Sequence, residues 1–222
     1  LPSMRDTSPW LLNVENGTIN LKTLELRAHS QEDYLTKLAP VDFDPSADCP
    51  RWISFLDRIM EGRTELINFI RRAVGFSLTG QSTEHVLFFC YGTGANGKSV
   101  FLNTLQNLFG TGYGMKAPPE LLMTKRSETH PTERADLQGK RFVACIEAAD
   151  GCRLAESLVK ELTGGDRVRA RRMREDYWEF NPTHKLWLAA NYKPVIRGTD
   201  HGIWRRIKLI PFDVTVPDEE QD

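Results

Sequence analysis

Residues 92–99 read Gly-Thr-Gly-Ala-Asn-Gly-Lys-Ser, and no other stretch limits so tightly what this chain can fold into. The pattern G-x-x-x-x-G-K-[ST] cradles phosphate only when a strand feeds the loop and a helix leaves it. In that setting successive backbone N–H groups and the helix N-terminus converge on one anion. Both flanks are present. Val86-Leu-Phe-Phe-Cys-Tyr91 is an unbroken apolar run too short for a typical helix, which predicts a strand buried on both faces. Ser99 to Phe109 carries a helical pattern. Gly92, Gly94 and Gly97 let the backbone bend and approach closely, and the amides of Ala95, Asn96, Gly97, Lys98, Ser99 and Val100 face the phosphates. Lys98 supplies a point charge to the β and γ phosphates, and the Ser99 hydroxyl can ligate Mg²⁺. Four constrained positions occur by chance in roughly one chain in a hundred of this length. The flanking strand and helix lower that further, so ATP and Mg²⁺ are the expected ligands.

Three more buried-strand runs follow: Phe142-Val-Ala-Cys-Ile146, Leu186-Trp-Leu-Ala-Ala190 and Ile207-Lys-Leu-Ile210, with a helical stripe of Leu154, Leu158 and Leu162 between the first two. Strands alternating with helices predict an α/β sandwich with a largely parallel sheet over residues 83–222. Upstream, Trp10 to Val14 and Thr18 to Leu21 flank Asn16-Gly17, a pair suited to a hairpin turn, and the proline-rich stretch 40–50 reads as a linker. Two helices are expected next, one with Trp52, Phe55, Leu56 and Ile59 on a face, the other from Thr64 through Val74. Expected divisions are therefore a hairpin segment and linker at 1–45, a helical domain at 46–82 and the ATPase core at 83–222. With 222 residues, 40% of them hydrophobic, the chain can bury one sizeable core plus a small appended unit. The four cysteines form no CxxC pair, which points to reduced thiols rather than zinc or disulfides. No apolar run approaches the roughly 18 residues of a membrane span, and no secretory signal is present, so the expectation is a cytoplasmic protein. A start at Leu1 without methionine reads as a fragment of something longer.

A phosphate loop does not say what the energy of ATP is used for. Glu147 ends the second core strand and can hold magnesium or polarise the attacking water; it can also be a solvated strand end. Asn191 ends the third, where an amide can contact the γ-phosphate and orient water, or simply make a turn. Trp204-Arg205-Arg206 opens the fourth, and either arginine can be solvated or can stabilise charge on a transferring phosphoryl group. Between the second and third strands, Arg167, Arg169 and Arg171 alternate with Val168 and Ala170, and Tyr177-Trp-Glu-Phe180 is a return strand. One inserted hairpin thus carries Arg167, Arg169, Arg171, Arg172 and Arg174, with Lys160 just before it. Such a hairpin suits a nucleic-acid backbone, with aromatic rings to stack on bases. Equally it suits a solvated hairpin whose arginines pair with Glu161, Asp166, Glu175 and Asp176. Overall, 29 basic against 30 acidic residues give a net charge of −1, so any polyanion site must come from local clustering or from several subunits together.

The order of phosphate loop, strand-end Glu147, basic hairpin, strand-end Asn191 and Trp-Arg-Arg resembles the superfamily 3 helicases, and more narrowly the helicase part of phage, plasmid and poxvirus-type primase–helicases. The resemblance is carried by Pro9 to Gly17, Gly92 to Ser99, Leu137-Gln-Gly-Lys-Arg141, Val159 to Asp166, Lys185 to Asn191 and Gly198 to Arg206, nearly the whole chain. It implies an AAA+-like P-loop fold acting as a hexameric ring. Lys98 and Ser99 become the P-loop pair, Glu147 the Walker B acid and magnesium ligand, Asn191 the sensor amide, and Arg206, with Arg205 as second choice, the finger reaching a neighbour's ATP. It further implies that Lys160, Arg169, Arg171, Arg172 and Arg174 track single-stranded DNA, and that a primase domain accompanies this one in the full-length chain. Two departures stand out. Glu147 is followed by Ala148 instead of a second acid, so one carboxylate serves both roles or Asp150 assists; and Glu175 and Asp176 dilute the charge at the hairpin tip. The expected function is an ATP-driven DNA helicase motor of a phage or mobile element. The rivals are a nucleic-acid-binding or assembly ATPase without unwinding activity and, more remotely, a small-molecule phosphotransferase.

Overall fold

In the computed structural model the described residues are 5–124, 132–146, 151–198 and 200–220. Five parallel strands form the central sheet: β4 (Leu87–Tyr91), β5 (Gly114–Ala117), β6 (Phe142–Ile146), β9 (Lys185–Ala190) and β10 (Ile207–Pro211), in the order β10-β4-β9-β6-β5. The unbroken apolar runs have a simple cause. Along β4, Leu87 and Phe89 join one buried cluster while Phe88 and Cys90 join another on the opposite face. Along β9, Leu186 and Leu188 share the first cluster, and Trp187 and Ala189 the second. Each strand therefore feeds two cores, and alternation between apolar and polar residues has no place. The outcome is the three-layer α/β sandwich expected from the sequence.

One face carries α1 (Pro50–Ile59), α2 (Thr64–Leu78) and α3 (Lys98–Tyr113). Pro50 sits in the first turn of α1, where its missing N–H costs nothing. Trp52 stacks on Phe101 of α3, ring centroids 5.7 Å apart, and Phe101 meets Trp187 of β9. The same cluster takes in Leu12, Val14 and Ile19, so N-terminal segment, helical pair and sheet share one core from Leu12 to Phe212. The other face carries α4 (Thr132–Ala135), α5 (Glu156–Thr163), α6 (His201–Trp204) and the two-stranded hairpin of β7 (Val168–Ala170) and β8 (Trp178–Phe180).

Near the N-terminus, β1 (Leu11–Val14), β2 (Gly17–Asn20) and β3 (Glu25–Arg27) form a small antiparallel sheet. Here the turn differs from expectation. Val14 pairs with Gly17, so the loop is Glu15-Asn16, and neither residue has positive φ. The Asn16 amide instead exchanges hydrogen bonds with the backbone of Phe43, pinning the expected linker. Gly17 is needed for space: a Cβ there would lie 2.4 Å from the carbonyl oxygen of Arg27.

Two buried cations clamp this N-terminal part to the sheet. The Arg141 guanidinium, stacked over the Tyr113 ring, donates to the carbonyls of Leu78, Leu11 and Ser8. Lys185, only 2% exposed, donates to the carbonyls of Thr79, Gln81 and Thr183. Both meet the C-terminal end of α2, where the orphan carbonyls and the negative end of the helix dipole favour positive charge. Burial holds both groups below their ordinary pKa.

Candidate functional site

Parallel strands end together, so everything that follows β4, β6 and β9 gathers at one edge of the sheet. β9 lies between β4 and β6, with Tyr91 opposite Ala190 and Ala189 opposite Ile146. The loop that leaves β4 and Asn191, which follows β9, are thereby neighbours. A cleft of about 180 Å³ is lined by Gly94, Asn96, Gly97, Lys98, Ser99 and Val100 of the loop and helix start, floored by Ile146, Ala189 and Ala190, and bordered by Asn191. The sequence expectation of Glu147 as the acid falls directly after β6; Glu147 lies outside the described residues, as does Asp150.

Loop shape explains its residue types. Gly97 caps α3 at φ +80, Gly94 sits at φ +119, and Ala95 also adopts a left-handed φ of 45. At Gly92 the constraint is contact, since a Cβ would lie 2.2 Å from the Phe212 carbonyl oxygen and 2.3 Å from Asn96 Nδ2. Lys98 is 6% exposed, and its ammonium donates to the Gly92 carbonyl at 2.6 Å and to Asn96 Oδ1 at 2.9 Å. Burial lowers its pKa, and it has no carboxylate partner among the described residues. A desolvated ammonium satisfied only by neutral oxygens, in a cleft of backbone N–H groups, fits a polyphosphate. Ser99 is exposed at the first turn of α3, where it and Glu147 would be the residues to hold magnesium.

Asn96 has a second role that the motif alone does not reveal. Its Nδ2 donates to the Phe212 carbonyl at 3.2 Å, and the Val216 amide donates to the Ala95 carbonyl at 2.6 Å. The segment after β10 thus straps the loop from outside. No local signal marks Phe212 for this, because the contact spans 116 residues.

Trp204-Arg205-Arg206 resolves into two different environments. Arg206 is 8% exposed and points into its own chain, Nε donating to Thr163 Oγ1 at 3.1 Å and Nη1 to the Gly202 carbonyl at 2.6 Å. Arg205 and Trp204 are exposed. Of the two finger candidates, the second choice, Arg205, has the exposed guanidinium, with no ion pair among the described residues.

The basic hairpin forms as β7 and β8, with Val168 opposite Phe180 and Ala170 opposite Trp178. Val168 and Ala170 are buried, so Arg167, Arg169 and the tip residues Arg172 and Arg174 face solvent while Arg171 is half-buried. Arg174 takes the left-handed conformation at the turn, φ 64. Arg169 and Arg171 sit over the Tyr177 ring at 4.4 and 4.9 Å, and Arg172 lies 5.9 Å from the Trp178 ring. The ion pairs that would neutralise the hairpin do not form among the described residues: Glu161 pairs with Arg134, not with a hairpin arginine. Lys160 is different. Its ammonium is bound to Asp200 at 2.6 Å, so it is not a free cation in this structure.

Comparison with known proteins places this chain among related viral sequences. Residues 1–61 match the family model described as D5 N terminal like, and residues 90–206, more than half of the chain, match the family described as a family of unknown function, DUF5906. A protein of Acanthamoeba polyphaga mimivirus named as an inferred helicase is 29% identical over 93% of this chain and 22% of its own length. One of Invertebrate iridescent virus 6, named likewise, is 28% identical over 98% of this chain and 23% of its own. A protein of African swine fever virus named as an inferred primase is 26% identical over 91% of this chain and 22% of its own. The chain therefore spans about a fifth of the length of these relatives. Among solved structures, the apo C-terminal region of NrS-1 superposes with a TM-score of 0.59 at 17% identity, covering 82% of this chain and 42% of that one, which shows a shared fold. No helix among the described residues is long and apolar enough to cross a membrane. The chain belongs to the DUF5906 family, and its D5-like N-terminal segment together with its viral relatives supports a primase–helicase family of the superfamily 3 type, of which it spans a fragment.

Proposed function

We propose that this chain is the ATP-driven motor of a replicative helicase, turning over ATP between subunits of a ring and moving a basic hairpin along single-stranded DNA. The observation that carries the proposal is the strand order. With β9 between β4 and β6, one cleft is bordered by the phosphate loop, by Asn191 and by the strand that leads to Glu147. Lys98 would hold the β and γ phosphates, Asn191 would orient the attacking water, and Ser99 with Glu147 would hold magnesium, which neutralises developing charge on the phosphates. Arg205, exposed at the C-terminal end of α6, would serve a neighbour's nucleotide in a hexamer.

The five hairpin arginines, which have no carboxylate partner among the described residues, support a polyanionic track, and the net charge of −1 fits basic hairpins converging on a channel better than a monomer with a broad basic face. The test is ATP turnover with and without single-stranded DNA, at concentrations that permit ring assembly, alongside unwinding of a forked duplex. DNA-stimulated turnover and strand separation are expected. Turnover indifferent to DNA would reduce the chain to an assembly ATPase.

A further inference from the structure

Helix α5 ends four residues before the hairpin, separated from β7 by Gly164 to Arg167, and its polar face is tied at three levels to the segment that carries Arg205. At the N-terminal turn, Glu156 Oε1 accepts from the backbone amides of Arg197 and Gly198 at 2.9 and 3.0 Å. One turn on, Lys160 binds Asp200, which also caps α6 through the Ile203 amide. At the last residue, Thr163 Oγ1 accepts from Arg206 Nε. Positions 156, 160 and 163 are spaced by four and three, one stripe of a helix, while Leu158, Val159 and Leu162 on other faces are buried.

The facing segment is shaped for this stripe. A Cβ on Gly198 would lie 2.0 Å from Glu156 Oε2, and one on Gly202 would lie 2.7 Å from Asp200 Oδ1. Glycine at 198 lets the segment approach the helix, and glycine at 202 leaves room for the Asp200 carboxylate that Lys160 binds. Beyond the stripe, the α5 carbonyl of Leu162 is bonded to His184 Nε2, which lies four residues after β8. The hairpin is thus held to α5 at both of its ends.

We infer that the Glu156–Lys160–Thr163 face of α5 is a coupling strut: it transmits the position of the Arg205 segment, set by a neighbour's nucleotide, to the DNA-facing hairpin. Thr163 and Glu156 are positioning residues that touch neither nucleotide nor DNA. The inference rests on the motor reading above and deepens it, by naming the path between its two sites. Four bonds at three levels about one turn apart resist rotation of the segment about the helix, as a single bond does not, so displacement at one end moves the other as a body.

The experiment compares the unaltered chain with Thr163→Val, Thr163→Ser and Glu156→Gln in ATP turnover with and without single-stranded DNA, and in DNA binding without ATP. Valine keeps the volume of threonine and removes the oxygen that Arg206 uses; serine keeps that oxygen. Stimulation by DNA is expected to fall at least fivefold in Thr163→Val and to return in Thr163→Ser, with basal turnover and DNA affinity within twofold of the parent throughout. Glu156→Gln, whose amide oxygen can accept both backbone bonds but without the carboxylate's charge, is expected to lie between them. Full DNA stimulation in Thr163→Val overturns the inference and leaves the motor reading standing. Equal loss of basal and stimulated turnover overturns it too, because Thr163 then only maintains the fold. A parent chain that DNA does not stimulate removes the motor reading and the strut with it.

Discussion

His184 is buried at the base of the hairpin with Nε2 bonded to the Leu162 carbonyl and no partner for Nδ1 among the described residues. Burial, helped by the adjacent Lys185, pushes its pKa down from 6.5 to about 4. The sign of the pH effect follows. Between those values the unfolded chain binds a proton at this site that the folded chain does not, so stability is fully present above pH 6.5 and is lost as pH falls toward 4. With the two pKa values cited, the difference between pH 7 and pH 5 is about 2 kcal/mol, a large part of a typical domain's margin. Titrating carboxylates add their own slope over the same range, so the informative comparison is with His184→Gln, whose amide N–H can still reach the Leu162 carbonyl and does not titrate. Urea unfolding at pH 7, 6 and 5 should show the parent losing about 2 kcal/mol more than His184→Gln. Parallel losses in the two proteins would refute the assignment of a neutral, buried imidazole, and with it the view that the hairpin base loosens in mild acid.

Other predictions address the site. Lys98→Ala should lower ATP turnover by on the order of 10²-fold or more with an unchanged circular-dichroism melt, since the loop is shaped by glycines and backbone contacts; turnover near the parent's would remove the cleft from the chemistry. Arg172→Ala and Arg174→Ala should each weaken single-stranded DNA binding and reduce the slope of log affinity against log salt by about 1, one phosphate contact apiece. A salt slope untouched in both would place the DNA elsewhere. Mixing Arg205→Ala subunits with Lys98→Ala subunits, each inactive alone, should restore part of the turnover, because some interfaces then join an intact loop to an intact arginine. No recovery on mixing would deny that Arg205 acts across an interface.

Strands β4, β6 and β9 were legible because each feeds two cores, and a residue run that is apolar on both faces has few other homes; β10, at the sheet edge with Lys208 and Leu209 exposed, was legible from its apolar Ile207, Leu209 and Ile210. β5 was not. Gly114-Met-Lys-Ala117 lies at the sheet edge directly after α3, contains glycine and lysine, and is a strand only because β6 pairs with it. The shape of the loop at 92–99 was legible for a similar reason: it is set by the backbone, and the sequence records that backbone through Gly92, Gly94 and Gly97. Side-chain destinations were harder to read. Nothing in Trp-Arg-Arg distinguishes the arginine that turns inward to Thr163 from the one that faces out; the difference arises from α6, whose turn rotates consecutive residues by roughly 100°. Lys160 likewise reads as one more cation near the hairpin until α6 brings Asp200 beside it.

Charge bookkeeping then explains how a chain of net −1 can serve a polyanion. Arg141 and Lys185 are consumed in the interior, capping α2. Arg58, Arg63, Arg134 and Lys160 are matched to carboxylates, two of them to Glu220 and Asp213 of the segment that straps the phosphate loop. In the hairpin, Arg169, Arg171 and Arg172 lean on Tyr177 and Trp178 rather than on acids among the described residues. An aromatic ring holds a guanidinium without neutralising it, so the N–H edges remain available for phosphate. A carboxylate in the same place would have to be displaced by every phosphate that the hairpin meets. Net charge is therefore the wrong quantity to ask about DNA binding here; the relevant one is how many arginines are oriented by rings instead of acids, and the hairpin concentrates them.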